Sequence, residues 1–348
     1  MEKRLAFGQA FCYYIDMKKQ KIAVIGCGVW GRNIVRNFYN LNVLDTVCDI
    51  DDENLAKVTE GVGGVNVTKD FHEVLRNPEI TAVAVVTPSH THYNLVKMAL
   101  EAGKHVYVEK PISTVASEAK ELTELARDKG LVLMVGHLLL YHPAVNRLKM
   151  LIEQGALGEI VYAQSDRLNV NFHKNDRSVM WDLAPHDVSM ISYVTGKAPV
   201  RVISAVGCSS ERNEIMDITH IGIEFEDGVI GQISDSWITP KKHVTLMVRG
   251  TKATAILDDT VAENKLVVFD NSSAGTPENI QLDYLEIEPL KLECQHFISC
   301  CETGKKARSD GDNGFMVTKI LEEAEQIMLG ERVKDLDEVN FALSRLKK

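Results

Sequence analysis

The chain has 348 residues and a net charge of −10, is 45% hydrophobic and 25% charged, and carries no low-complexity tract, which excludes a disordered or fibrous protein. Its length suits two domains of roughly 100 to 200 residues each. The acidic balance and scattered Lys and Arg argue against nucleic acid as a partner, and no apolar run reaches the ~20 residues that span a bilayer, so a cytoplasmic protein with no membrane partner is expected.

The first stretch, "MEKRLAFGQAFCYYID", has only a short apolar segment and no small-residue cleavage site. "MKKQKIAVIG" from Met17 is a conventional start for a first strand, so residues 1–16 are expected to be a mis-assigned start or an extension. The seven cysteines are scattered without a C-x-x-C, which suggests reduced thiols rather than a disulfide framework or a zinc site.

From residue 21 the pattern alternates. "KIAVIG" reads as a buried strand, "VWGRNIVRNFYN" as a helix and "VLDTVCD" as a second strand. Between them "GCGVWG" is G-x-G-x-x-G (Gly26, Gly28, Gly31), and Asp49 ends the next strand eighteen residues beyond Gly31. In this context the motif is a dinucleotide fingerprint: glycines, with Val29 and Trp30 between them, bring backbone N–H groups to a pyrophosphate, and Asp49 accepts the ribose hydroxyls. A carboxylate there repels a 2′-phosphate, so NAD is expected rather than NADP.

"ITAVAVVTP" is the next strand, followed by "SHTHY" at a helix start and a helix over 92–102. Thr87, Pro88, His90 and His92 sit where parallel strands open into a ligand crevice and are read as cofactor contacts; capping and turn chemistry by Thr87, Ser89 and Thr91 is the plainer account. "KHVYVEKP" then ends a strand on Glu109, Lys110 and Pro111, three residues that serve no packing purpose there. With NAD in the crevice, Lys110 is placed to stabilise an alkoxide and Glu109 to line the cofactor; an ordinary solvated lysine is the alternative. A helix over 117–129 and the strand "LVLMVGH" complete an N-terminal Rossmann domain, bounded near residue 140.

Beyond it the pattern changes to a helix over about 142–154 and then long alternating strands, "EIVYAQSDRLNV", "VRVISAVGC", "DITHIGIEFEDGVIGQISDSWI", "HVTLMVRGTKATAILDD" and "NKLVVFD", with "FEDGVIG" as a hairpin. The α/β domain of residues 141–348 is therefore expected to carry a large, mainly antiparallel sheet. Helices over about 290–303 and 314–329 close the chain, each expected to end in Gly. "MWDLAPHDVSMISYVTG" reads as a helix with Asp182 at its start, Pro185 in the first turn and Gly196 at its end. Asp182 and His186, four positions apart, share one face and suit proton transfer, with a plain N-cap and a core histidine as the alternative.

Taken together, the G-x-G-x-x-G with its Asp, "TPSHTHYNLVKMALEAGKHVYVEKPIS", "GHLLLYHPAV", "LGEIVYAQSDR", "WDLAPHDVSM" and "VRGTKATAILDD" resemble the glucose-fructose oxidoreductase, inositol dehydrogenase and MocA (Gfo/Idh/MocA) family over about residues 20–332. The resemblance implies a Rossmann domain followed by an α/β domain whose open sheet buries a dimer or tetramer interface, the last helices returning to the Rossmann domain. It also implies that Lys110, Asp182 and His186 serve hydride transfer at a sugar or cyclitol carbon; the residues themselves suggest no metal site. "YHPAV", "SDRLNV" and "WDLAPHD" are most similar to the branch that oxidises C3 of UDP-N-acetyl-hexosamines or their uronic acids; Tyr141, Arg167 and Asn169 are then expected substrate contacts, with Arg177 either a further contact or a plain surface charge. An inositol or simple-sugar dehydrogenase is the alternative, and a non-catalytic NAD-binding regulator the rival of another class. Leu140 and Ser189 stand where many members carry a basic and an acidic residue.

Overall fold

A computed structural model describes residues 20–170, 178–210, 215–272, 277–279 and 287–331. Residues 1–16 and Arg177 lie outside them. The first unit is a six-stranded parallel sheet, order β3-β2-β1-β4-β5-β6, formed by β1 (Ile22–Ile25), β2 (Leu44–Cys48), β3 (Asn66–Thr68), β4 (Ala82–Val85), β5 (His105–Glu109) and β6 (Leu133–Gly136). The crossovers are α1 (Gly31–Asn40), α2 (Asp52–Thr59), α3 (Phe71–Arg76), α4 (His92–Glu101) and α5 (Ala116–Asp128). β1, β4 and β6 are buried along their whole length, which explains their continuous apolar runs: a parallel sheet is covered on both faces. β3 and the two short helices beside it escape the sequence reading because they are short and half exposed.

After α6 (Pro143–Glu153) comes an eight-stranded sheet, order β14-β13-β12-β11-β7-β10-β9-β8. Its strands are β7 (Ile160–Val170), β8 (Pro199–Cys208), β9 (Ile218–Phe225), β10 (Ile230–Ser236), β11 (Ile238–Gly250), β12 (Ala253–Asp258), β13 (Leu266–Asp270) and β14 (Pro277–Asn279). Every pair is antiparallel except β7 with β10. The β9–β10 hairpin turns at Asp227 and Gly228, both at positive φ (58° and 73°), the conformation an Asp-Gly turn supplies.

One face of this sheet is covered by α7 (Val179–Thr195) and α9 (Gly311–Glu331), which contribute Met180, Val188, Ile191, Leu321 and Ala324 to one core. α8 (Pro289–Thr303) instead buries Leu290, Phe297 and Ile298 against α1 of the first unit. α7 starts three residues before Asp182, because extended Ser178 leads in and the Val179 N–H bonds the Met216 carbonyl at 2.8 Å. Pro185 is consequently inside the helix rather than in its first turn. Gly196 does close α7 in the left-handed conformation, and Gly304 closes α8, but Gly330 lies within α9 instead of ending it. Among the described residues no helix is long and apolar enough to cross a membrane, and the six described cysteines are free thiols.

Candidate active site

The carboxyl ends of β1, β4, β5 and β6 open onto a cleft of about 390 Å³ lined by Trp30, Thr87, Glu109, Lys110, Gly136 and His186, among others. Gly26 (φ 91°) begins the first turn, and a Cβ added to Gly31 would run into the Gly26 carbonyl, so that close approach requires glycine. A Cβ on Gly28 meets nothing within 4 Å, leaving open space above the loop. Trp30, at the start of α1, gives the helix no side-chain cap, which leaves its first N–H groups available to an anion. Val29 is 79% exposed at the loop tip, although it is apolar. Asp49 is braced by the Cys27 N–H at 2.6 Å, the Asp51 N–H at 2.9 Å and Asn54 Nδ2 at 3.2 Å, and follows the end of β2. An open cradle, an uncapped helix and a fixed carboxylate fit the diphosphate and ribose of NAD.

Around the next strand end the expected residues divide. Thr87 lines the cleft and pairs its hydroxyl with Thr91 at 2.6 Å; Pro88 and His90 are exposed and do not line it. His92 is 1% exposed, with Nδ1 2.8 Å from the Pro111 carbonyl and Nε2 2.8 Å from the Thr87 carbonyl. It ties together two loops of the cleft, a structural role beside its place in the cleft wall.

Lys110 Nζ lies 2.6 Å from the carbonyl oxygen and 3.0 Å from Oδ1 of Asp182. The other carboxylate oxygen of Asp182 accepts from Trp237 Nε1 at 3.2 Å. Asp182 therefore braces the lysine; no hydrogen bond joins it to His186, whose imidazole faces the same cleft. His186 Nδ1 is buried without a hydrogen-bond partner among the described residues. Burial, with the nearby positive charges of Lys110 and Arg167 adding to it, pushes His186 well below the usual histidine range. The imidazole is thereby kept neutral.

Three expected substrate contacts do not line the cleft. Arg167 makes an ion pair with Asp187 (Nη2 to Oδ1, 3.0 Å), which is fully buried and also accepts from Ser165 at 2.6 Å. One turn of helix cannot aim adjacent residues alike, so Asp187 faces this pair and not His186's cleft. Tyr141 is 3% exposed, bonds His296 Nδ1 at 2.8 Å and lines a separate cavity with Arg308. Asn169 is partly buried, and its Oδ1 has no partner among the described residues. Leu140 is core, and Ser189 turns inward to the His186 carbonyl at 3.0 Å.

Sequence reasoning missed His137, Trp237 and Glu293. His137 is 1% exposed, has no partner on either ring nitrogen among the described residues, and is pushed down to about 3, mainly by burial and then by Lys110. Its position just after β6, whose carboxyl end opens onto the cleft, was a usable signal. Trp237, more than fifty residues from Asp182, offered none.

Comparison with known proteins agrees with this architecture. The profile of the oxidoreductase family with an NAD-binding Rossmann fold (Gfo/Idh/MocA) matches residues 20–137, and that of its C-terminal domain matches 145–256. Trans-1,2-dihydrobenzene-1,2-diol dehydrogenase of Oryctolagus cuniculus is 32% identical over 68% of this chain and 74% of its own. The scyllo-inositol 2-dehydrogenase (NAD(+)) of Bacillus subtilis is 28% identical over 82% of this chain and 87% of its own. The solved structure of UDP-N-acetylglucosamine 3-dehydrogenase from Acidithiobacillus ferrooxidans is 25% identical, covers 89% of this chain and 97% of its own, and superposes with a TM-score of 0.77. With the nucleotide fingerprint, both domain profiles and the two-sheet architecture in agreement, the chain belongs to the Gfo/Idh/MocA family and is an NAD-dependent oxidoreductase.

Proposed function

We propose that the chain oxidises a secondary ring hydroxyl of a sugar, and that its substrate is a UDP-N-acetyl-hexosamine or the corresponding uronic acid, oxidised at C3. The observation that carries the chemistry is the Lys110–Asp182 contact beside His186, whose Nδ1 has no hydrogen-bond partner among the described residues. An ammonium has three N–H donors; Asp182 takes two, and nothing among the described residues takes the third, which can meet a substrate oxygen. When bound, NAD supplies the hydride acceptor. Lys110 stabilises negative charge that grows on the substrate oxygen, in a site where such fixed charge outweighs its value in water. Neutral His186 takes the hydroxyl proton without first losing one, a contribution of typically ~10²- to 10⁴-fold. Asp182 is the positioning residue that keeps Lys110 in place.

The likeness to UDP-N-acetylglucosamine 3-dehydrogenase supports the nucleotide-sugar reading. A cyclitol substrate is the second reading: the scyllo-inositol enzyme is similarly near, and Arg167, the side chain expected to meet a diphosphate, is already paired with Asp187. The deciding experiment follows NADH absorbance with UDP-N-acetylglucosamine, its uronic acid, UDP and myo-inositol, with and without added NAD. Reduction only with a UDP-amino sugar supports the first reading and reduction with inositol the second; silence with all of them would favour a non-catalytic regulator.

A homo-oligomer is part of the same proposal. Val170, Val200, Ile203, Val206 and Ile238 stand 37–58% exposed on strands of the second sheet. A second copy laid on that face would cover them.

A further inference from the structure

Four side chains join the cofactor loop to α8. Trp30 Nε1 donates to Glu109 Oε1 at 2.7 Å; Tyr107 Oη lies 2.9 Å from that oxygen and 3.3 Å from Glu293 Oε2. Tyr107 and Glu293 are both 0% exposed. The line is closed in on its far side: a Cβ on Gly136 would sit 2.6 Å from Tyr107 Oη and 2.9 Å from Glu109 Oε1. Phe297, one turn beyond Glu293 on α8, packs edge-on against the Tyr107 ring at 5.9 Å between centroids.

Proton counting decides how this line is bonded. Tyr107 has one O–H and two carboxyl groups within reach, so two carboxylates would leave one facing the phenol oxygen lone pair to lone pair in a buried site. One more proton must be present. Burial pushes the Glu109 carboxyl up as well, but three donors, Trp30, Tyr107 and the Lys110 N–H at 3.3 Å, oppose that push, so Glu109 is the ionised member. Among the described residues Glu293 meets no group but Tyr107, and its Oε1 is buried without a partner.

We infer that Glu293 is a neutral carboxylic acid whose O–H donates to Tyr107, so that Tyr107 must donate to Glu109, making Glu293 a positioning residue for Glu109 and Trp30. Burial, reinforced by the charge of Glu109, pushes the Glu293 carboxyl well above its ordinary range, in the same sense. The consequence is an orientation set from outside the cleft. A neutral acid on α8 dictates which way the phenol points, and the phenol keeps Glu109 turned toward Trp30 and the Lys110 backbone. The effect on turnover rests on the role proposed for Lys110; the protonation and the hold on Trp30 do not.

The test is infrared difference spectroscopy on the cofactor-free protein near neutral pH, comparing wild type with Glu293→Gln. Buried Asp235, also pushed well up, gives a band common to both proteins, so the carbonyl stretch of Glu293 is expected in the wild-type-minus-variant difference, and its absence from that difference overturns the inference. In parallel, Trp30 emission (assigned by difference from Trp30→Phe) and the NAD dissociation constant are read in Glu293→Gln and Glu293→Leu. Gln, which can still donate, should keep both near wild type, whereas Leu should shift the emission and weaken NAD by about tenfold or more. Should the Leu variant not fold, Tyr107→Phe carries the same expectation. Unchanged emission and NAD affinity in the variant that folds overturns the positioning role. An unchanged kcat together with shifted emission and weakened NAD would count against the Lys110 assignment alone.

Discussion

Lys110 Nζ meets both the carbonyl oxygen of Asp182 at 2.6 Å and its carboxylate Oδ1 at 3.0 Å, so one ammonium joins the end of β5 to the first turn of α7. Both side chains are about four-fifths buried, at 18% and 23% exposure. That is enough shielding to fix direction and enough opening to reach a substrate. A strand-end lysine in open solvent would have neither the fixed geometry nor the spare donor.

Lys110→Ala is expected to lower turnover by about 10²- to 10³-fold or more, the usual cost of removing an oxyanion-stabilising donor. NAD should still bind, because the loop glycines and Asp49 are untouched. NADH formation and calorimetric NAD titration check the two halves; retained turnover would falsify the role. Asp182→Asn, which keeps the carbonyl contact and removes the charge, should fall between the two.

Two glycines of the phosphate loop should respond oppositely to one methyl group. Gly31→Ala collides with the Gly26 carbonyl and should lower the melting temperature of the cofactor-free protein. Gly28→Ala points into open space and should leave that temperature unchanged, while NAD affinity falls about tenfold or more because the methyl stands where the pyrophosphate must approach. Loss of NAD affinity without loss of stability at Gly28 is the result that matters.

Acid should destabilise the fold through its buried imidazoles. His137 has its folded pKa pushed down to about 3, mainly by burial. An unfolded chain binds a proton near 6.5, so above that pH both states are neutral and the residue is silent. As pH falls below about 6.5 the unfolded state binds the proton and the folded state does not, costing about 1.4 kcal/mol per pH unit. His186, lowered in the same direction, adds to the slope. Glu293, raised, acts in the opposite sense, so the informative quantity is the difference between wild type and His137→Gln. Urea midpoints measured from about pH 7 down to pH 5 should fall less steeply in the variant; equal slopes would mean that His137 is charged in the fold.

A charged pair on the open sheet face should disperse an oligomer. Val200 and Val206 are 58% and 55% exposed, so Val200→Lys with Val206→Glu should leave the monomer's stability near wild type. Light scattering should show a smaller particle than wild type. A wild-type monomer would remove the proposal.

The nucleotide loop is legible in the sequence because its chemistry is local. Strand, three glycines, helix and a carboxylate follow one another within about thirty residues, and each is needed by the adjacent backbone. Lys110 stands out for a related reason, since nothing in the packing of β5 asks for Glu-Lys-Pro at its end. The helical spacing puts Asp182 and His186 on one face, and that face does meet the cleft. Yet spacing misreads their relation: it gives neighbours on the same element and is blind to Lys110, seventy-two positions earlier, which takes the carboxylate instead.

Where packing from distant segments decides, the sequence is silent or misleading. Arg167 and Tyr141 have the composition of ligand contacts, but Asp187 and His296 claim them, and each partner is brought there by a different element. His137 looks like any polar residue after a strand, and only burial with no partner among the described residues marks it out. Glu293 carries no motif at all. By itself the sequence determined the class of fold and the cofactor and singled out the residues proposed here to do chemistry, because periodicity and loop spacing are written along the chain. Which of those residues meet, which are already paired and which carboxyl keeps its proton were decided by tertiary structure, because desolvation and hydrogen-bond supply depend on neighbours that the chain brings together only on folding.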